Sequence, residues 1–358
     1  MSQRRIGFPR MDNYNVALKY MVEVGLDCTY VMAPPMTRRT LELGSKYSPD
    51  FVCAPFKYTL GSMLEMLQNG GVDTLLETGG VCRLGYYGAL QKQILRDLGY
   101  QVEFVDLAEM GKHKLRGYYA AAHRLNPHCS MVKAARALPD TLHAVRYIDD
   151  IENRVRLDRG FEVRRGSMKA VLDAFLQALS EARCRKDLDT AYGRALAGLS
   201  RVELRKPEHP LRVGIIGEYY TVMDDFGNHN AEQILACMGE GVEIHRWMSF
   251  THRNLDYDEK ADLARIAPYV RYSMGPTTSA TLAAALRYAE TGFDGIVHVK
   301  SFGCTPEVDA MSVLQNISAD RKIPVLYLSY DSQTGDAGIQ TRLEAFYDMI
   351  AMKRKKML

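Results

Sequence analysis

The sequence predicts an α/β protein of two Rossmann-like lobes with parallel sheets, joined by a helical connector, and three observations carry that expectation. Short β-type runs alternate with helical patterns from the start of the chain, which is the mark of βαβ units feeding a parallel sheet. A middle stretch has long helical periodicity and few β-branched runs, as a connector or cap would. Pro207 and Pro210 then precede the apolar run Leu211-Arg212-Val213-Gly214-Ile215-Ile216-Gly217, which restarts the alternation. The expected divisions are residues 1–110 for the first lobe, 111–206 for the connector and 207–358 for the second lobe. A chain of 358 residues also exceeds what one hydrophobic core usually supports.

In the first lobe the strand candidates are residues 5–8, 28–32, 50–53, 72–76 and 102–105. Between them, helical patterns begin near Tyr14 and Thr37 and cover residues 61–68 and 87–98. The connector shows its clearest helical periodicity over 168–179 and 191–199, and the second lobe offers strands at 211–217, 242–244, 295–299 and 324–328. The closing Lys353-Arg354-Lys355-Lys356 reads as a solvated, frayed end.

Composition narrows the class. Hydrophobic residues make up 47% and charged residues 25%, values of a folded globular protein. The net charge of +3 is spread along the chain without a basic block, which gives no support to nucleic-acid binding. No apolar run is long enough to span a bilayer and the opening residues lack a signal-like apolar segment, so a cytoplasmic protein is expected. Seven cysteines in such a chain point to metal binding or buried thiols rather than a disulfide framework.

Three of those cysteines follow strand-like runs. Cys53 follows residues 50–52, Cys82 lies in Glu77-Thr78-Gly79-Gly80-Val81-Cys82-Arg83, and Cys304 in Lys300-Ser301-Phe302-Gly303-Cys304-Thr305-Pro306. The carboxyl edge of an α/β sheet is where ligands gather. Gly80 and Gly303 let backbone approach a bulky ligand and supply N–H donors, while Lys57, Arg83 and Lys300 are placed to lower thiolate pKa values and offset charge. Thiolates suit zinc or an iron–sulfur cluster, and three protein ligands leave one position open. Cys28, Cys184 and Cys237 read as packing residues, with Cys129 an outside candidate in Asn126-Pro127-His128-Cys129.

Glu77, Glu218 and Asp331 also end strand-like runs and so are candidate acids or bases, against the simpler reading that each caps a helix or turn. His245 and His298 fall in apolar strands and read as satisfied core histidines. Gly214-Ile215-Ile216-Gly217-Glu218 lacks the third glycine of the dinucleotide fingerprint. Asp336-Ala337-Gly338 opens a helix whose N-terminus, with Gly338, is a candidate for facing an anionic ligand.

Taken together, Arg5-Ile6-Gly7-Phe8-Pro9-Arg10, Cys53-Ala54-Pro55-Phe56-Lys57, Gly80-Val81-Cys82-Arg83-Leu84-Gly85-Tyr86-Tyr87, the segment 211–219, Phe302-Gly303-Cys304-Thr305-Pro306 and the segment 331–346 resemble the 2-hydroxyacyl-CoA dehydratase superfamily. More narrowly, the chain is similar to the branch named for its relation to acyl-CoA dehydratase activases, the CoA-protein activase branch. The resemblance implies a [4Fe-4S] cluster in the cleft between two lobes, ligated by Cys53, Cys82 and Cys304. An [8Fe-9S] double cubane is the alternative within the superfamily, but it calls for more cysteine ligands than the three well placed here. In the dehydratases an ATP-hydrolysing activase with its own cluster supplies a low-potential electron, and a thioester carbonyl becomes a ketyl radical anion that expels the hydroxyl group. The resemblance also implies a homo- or heterodimer and an acyl-CoA or other small-molecule substrate. This chain shows no actin-like ATPase motif, so it is expected to accept electrons from the activase. Two functions stand as alternatives: a reductase or dehydratase subunit, including a double-cubane type of small-molecule reductase, or a non-catalytic electron-transfer or accessory partner. A zinc-dependent or plain thiol enzyme is a third.

Overall fold

The structure is a computed structural model that describes residues 3–77, 82–106, 114–275 and 277–356. The chain divides into two compact units, Met1–Ile148 with Phe175–Gly193, and Asp149–Ala174 with Arg194–Leu358. Each is built on a four-stranded sheet whose neighbours all pair in parallel.

In the first unit β1 (Arg5–Gly7), β2 (Thr29–Val31), β3 (Thr74–Glu77) and β4 (Glu103–Asp106) lie in the order β2-β1-β3-β4. Ile6 stands opposite both Tyr30 and Thr74, and Leu75 opposite Phe104. Ile6 and Leu75 are fully buried, as parallel strands covered on both faces require. The second unit repeats the plan with β5 (Leu211–Gly217), β6 (Val242–Arg246), β7 (Gly295–Ser301) and β8 (Val325–Tyr330) in the order β6-β5-β7-β8. Every residue of β7 is buried.

The first unit's helices begin with α1 (Asn15–Tyr20), which runs on into a π-helical turn, Met21–Gly25. Next, α2 (Arg38–Tyr47) starts at a capping box made by Thr37 and Thr40. It packs on α3 (Ala54–Gln68) at backbone contact: a Cβ at Gly44 would lie 1.8 Å from the Lys57 carbonyl oxygen, and one at Gly61 1.9 Å from that of Thr40. Only glycine permits that approach. The remaining helices are α4 (Tyr87–Asp97) and α5 (Lys114–Leu125), followed by α6 (Met131–Asp158), α7 (Ser167–Glu181) and α8 (Arg185–Leu199), whose residues are divided between the two units.

The second unit carries α9 (Tyr219–Met223), α10 (Ala231–Ala236), α11 (Phe250–Asn254) and α12 (Glu259–Ile266). Three longer helices complete it: α13 (Thr278–Glu290), α14 (Thr305–Arg321) and α15 (Asp336–Lys355). Its core joins Leu282 and Leu286 of α13 to Ile216, Ile296, Leu314 and Ile317. The last turns of α6 are tied in by a buried ion network, with Arg156 Nε 2.8 Å and Arg246 Nη1 3.2 Å from the Glu232 carboxylate. Among the described residues, no helix is long and apolar enough to cross a membrane.

Four expectations are corrected. Residues 50–53 are not a strand but a turn, with Phe51 89% exposed, and α3 begins at once because Pro55 sits in its first turn with a preset φ. Cys184 lies exposed in the turn between α7 and α8, not packed in a helix. Cys237 ends α10 as an exposed C-cap, 3.2 Å from Nη1 of Arg165. The terminal basic run is helical to Lys355, because Lys353 donates to the Lys322 carbonyl at 2.6 Å and Arg354 pairs with Asp294 at 2.7 Å. Cys28 is buried as expected; Cys129, the outside candidate for ligation, is also buried, and burial raises its thiol pKa.

Candidate functional site

In the first unit the site grows from the end of β3. Cys82 is the N-cap of a single 3-10 turn, Arg83–Tyr86, and its sulfur accepts the Leu84 N–H at 3.4 Å. That turn leads directly into α4, whose first residue, Tyr87, places its hydroxyl 2.7 Å from Sγ of Cys53. Cys53 is itself the N-cap of α3, in extended conformation. Burial first, and then the neighbouring Cys53, push the Tyr87 phenol well above its ordinary pKa. The phenol therefore stays protonated and has a proton to donate to the sulfur when Cys53 is a thiolate. Edge-on packing against Phe56, with centroids 4.7 Å apart, holds the ring in place. Cys53 and Cys82 are thus linked through one tyrosine and two helix starts.

The other first-unit candidates surround this pair. Glu77 closes β3 with its carboxylate against the first turn of α4, where a Cβ at Gly88 would meet Oε2 at 1.6 Å. Lys57 is half-buried in the first turn of α3, and Arg83, exposed beside Cys82, is close enough to oppose the rise of the Tyr87 pKa. Gly80 lies outside the described residues.

In the second unit Cys304 follows β7 as the N-cap of α14, with Pro306 in the first turn and the Cys304 N–H bonded to the Ser301 carbonyl at 3.0 Å. Gly303 forms part of the tight turn before it. Lys300 is only 4% exposed; burial lowers its amine pKa, while Cys304 and Glu307 act the other way. Beneath Cys304, Glu307 and His298 are both fully buried and joined at 2.8 Å between Oε2 and Nε2. His298 is therefore a core residue as expected, while His245 is half-buried and meets Glu243 at 2.6 Å.

Glu218 caps α9, accepting the N–H groups of Tyr220 at 2.7 Å and Thr221 at 2.9 Å. Burial first, with the nearby Glu307 charge adding, raises its pKa despite those bonds. Asp331 organises a turn, accepting from the Gln333 N–H at 2.8 Å and the Thr334 hydroxyl at 3.0 Å. Gly338 is exposed in the first turn of α15.

Among the described residues, no three or more His, Cys, Asp or Glu side chains are grouped so as to hold a metal ion. Cys53 and Cys82 belong to the first unit and Cys304 to the second. The donor chemistry and local setting nonetheless fit a thiolate-bound group, because Cys53 and Cys304 cap the N-termini of long helices, which favour negative charge, and Cys82 caps a short turn whose Leu84 N–H its sulfur accepts. Sequence reasoning missed Tyr87, Glu307 and Thr277. The available signals were the tyrosine pair after Cys82 and the N-cap to N3 spacing between Cys304 and Glu307.

Fold and site define a two-unit, doubly wound α/β protein with a capping cysteine after the third strand of each sheet. The family model "2-hydroxyglutaryl-CoA dehydratase, D-component" matches residues 233–350, about a third of the chain and all within its second unit, so that stretch is similar to the dehydratase component. No curated protein matches the chain.

Proposed function

We propose that Cys53, Cys82 and Cys304 hold an iron–sulfur cluster of the [4Fe-4S] type, and that the chain performs or supports low-potential one-electron reduction or dehydration of a small molecule, with thioesters the class to test first. The electron source in this reading is an ATP-hydrolysing activase with its own cluster. The observation that carries the reading is that all three cysteines are N-cap residues. Soft anionic sulfur at that position matches what such a cluster binds.

When bound, the cluster supplies one-electron transfer at low potential. The chain's own groups hold its ligands: the Tyr87 hydroxyl donates to the Cys53 sulfur and the Leu84 N–H to that of Cys82. Lys300 places a cation near Cys304, and Lys57 and Arg83 add positive charge near the other two cysteines. Gly303 lies in the turn just before Cys304, and Gly338 leaves open space at its Cβ position. Of the three carboxylates, Glu218 is best suited to holding a proton, since its pKa is raised, with Glu77 and Asp331 as further candidates.

A second reading, a non-catalytic electron-transfer partner, is favoured by a different observation. Phe51, Tyr86 and Phe302 are 89%, 79% and 70% exposed and lie within a few residues of Cys53, Cys82 and Cys304. Exposed apolar groups of that size suit coverage by a protein.

The test is anaerobic purification with iron and sulfide quantification and electron paramagnetic resonance, repeated for Cys304→Ala. Wild type should carry iron and acid-labile sulfide, and the variant should lose the signal or change it. Wild type that stays free of iron after anaerobic reconstitution would overturn the reading. A spectral change on adding thioesters separates an enzyme from a carrier.

A further inference from the structure

Glu307 is the third residue of α14, three positions after the N-cap Cys304, and is 0% exposed. A buried carboxylate costs several kcal/mol unless its oxygens are satisfied. Here they are satisfied by three donors. Oε1 accepts the hydroxyl of Thr277 and, at 3.1 Å, that of Thr281, while Oε2 meets Nε2 of His298 at 2.8 Å. Thr277 is the N-cap of α13, Thr281 lies one turn further, and His298 is in β7. One side chain therefore fastens the first turn of α14 to the neighbouring helix and to the central strand. The Thr278 hydroxyl, bonded to the Pro306 carbonyl at 2.7 Å, grips the same turn. Nδ1 of His298 has no hydrogen-bond partner among the described residues, so the imidazole's polar tie is the one to Glu307.

The first unit has a counterpart. There the N-cap of the helix entering the third strand, Cys53, bonds to Tyr87 in the first turn of the helix leaving that strand. In the second unit Thr277 and Glu307 occupy those places. Both units thus lock a capping cysteine's surroundings through a bond between the same two helix starts.

We propose that Glu307 is a positioning residue for Cys304, fixing the first turn of α14 through Thr277, Thr281 and His298 so that the thiol is presented in one orientation. It rests on reading Cys304 as a cluster ligand, and acts through that cysteine without touching substrate.

The full-length protein without added iron provides the test. Glu307→Gln and Glu307→Ala are alkylated with iodoacetamide at one fixed pH, and the rate at each cysteine is read by mass spectrometry. Glu307→Ala removes all three bonds and should change the Cys304 rate by about tenfold or more, the scale on which even one lost hydrogen bond to a charged group acts. Cys237, exposed in the same unit, should keep its rate. Glu307→Gln should stay near wild type, because its amide oxygen still accepts from the threonines and its NH2 meets His298 in the other tautomer. A merely structural role would alter Cys304 and Cys237 together, or neither, and either outcome overturns the proposal. Should Glu307→Ala fail to fold, Thr277→Val removes one bond of the three. A rate change confined to Cys304 supports the assignment, and an unchanged rate refutes it. Iron content of reconstituted wild type is measured in parallel, so that failure of the cluster reading shows independently of the alkylation result.

Discussion

Replacing Tyr87 by Phe removes one oxygen atom from the first unit and leaves the ring against Phe56, where the centroids are 4.7 Å apart. The loss is the hydroxyl 2.7 Å from the Cys53 sulfur. A hydrogen bond to a charged acceptor is worth about 1.5–3 kcal/mol, and about 1.4 kcal/mol corresponds to a factor of ten. The thiolate form of Cys53 should therefore be disfavoured by about tenfold to about a hundredfold in Tyr87→Phe. Alkylation of Cys53 by iodoacetamide at neutral pH should slow in that proportion, while Cys82, whose own donor is the Leu84 N–H, serves as the internal control. Global stability should change by about 1 kcal/mol or less, since a single neutral bond is exchanged for water. An unchanged Cys53 rate in a folded variant would refute the claim that the phenol supports the thiolate. An equal change at Cys82 would trace the effect to general loosening of the unit.

Two further outcomes are expected. Gly44→Ala forces a Cβ to within 1.8 Å of the Lys57 carbonyl oxygen; separating two packed helix backbones should cost about 1–3 kcal/mol or more, and a melting temperature equal to wild type would contradict the packing described. Glu243, bonded to His245 at 2.6 Å and to Lys206 at 2.6 Å, has its pKa lowered from 4.5 to about 2. Its folded value lies below its unfolded one, so its contribution is fully present above pH 4.5 and is lost as pH falls towards about 2. Glu243→Gln should flatten the melting-temperature profile over that interval, and a parallel profile would refute the assignment.

The alternation of apolar runs and helical patterns made the sheets legible, because parallel strands buried on both faces need continuous apolar sequence, as in Leu211–Gly217. The error at residues 50–53 arose from local ambiguity. Phe51, Val52 and Cys53 look strand-like, yet no neighbouring strand pairs with them and Pro55 starts a helix as readily as it stops a strand. The position of Cys82 and Cys304 after a strand was visible because each follows an apolar run through a glycine-containing segment. The partners of those cysteines were not. Tyr87 reaches Cys53 across thirty-four positions, and Glu307 meets Thr277 across thirty. Such pairings are set by strand order, which no local pattern states. The terminal lysines failed for the same reason, since the Lys322 carbonyl that receives Lys353 is thirty-one residues away.

Strand order also bears on why the proposed ligands number two from one unit and one from the other. Both sheets have the same sequence of neighbours, so β3 corresponds to β7, and the residues capping the helical turns after those strands are Cys82 and Cys304. The helices leading into those strands are α3 and α13, capped by Cys53 and Thr277. Four corresponding capping positions therefore hold three thiols and one hydroxyl. A hydroxyl is a poor donor to soft metals, and that of Thr277 is already committed to Glu307. The second unit thus has one thiol fewer at these positions, and the residue standing in its place bonds to the helix that Cys304 caps. A fourth protein thiolate is absent from the plan at the one position where symmetry would have put it. In the proposed cluster reading, Thr277 therefore stands where a fourth thiolate would be, a difference of side chain between two units that share one strand order.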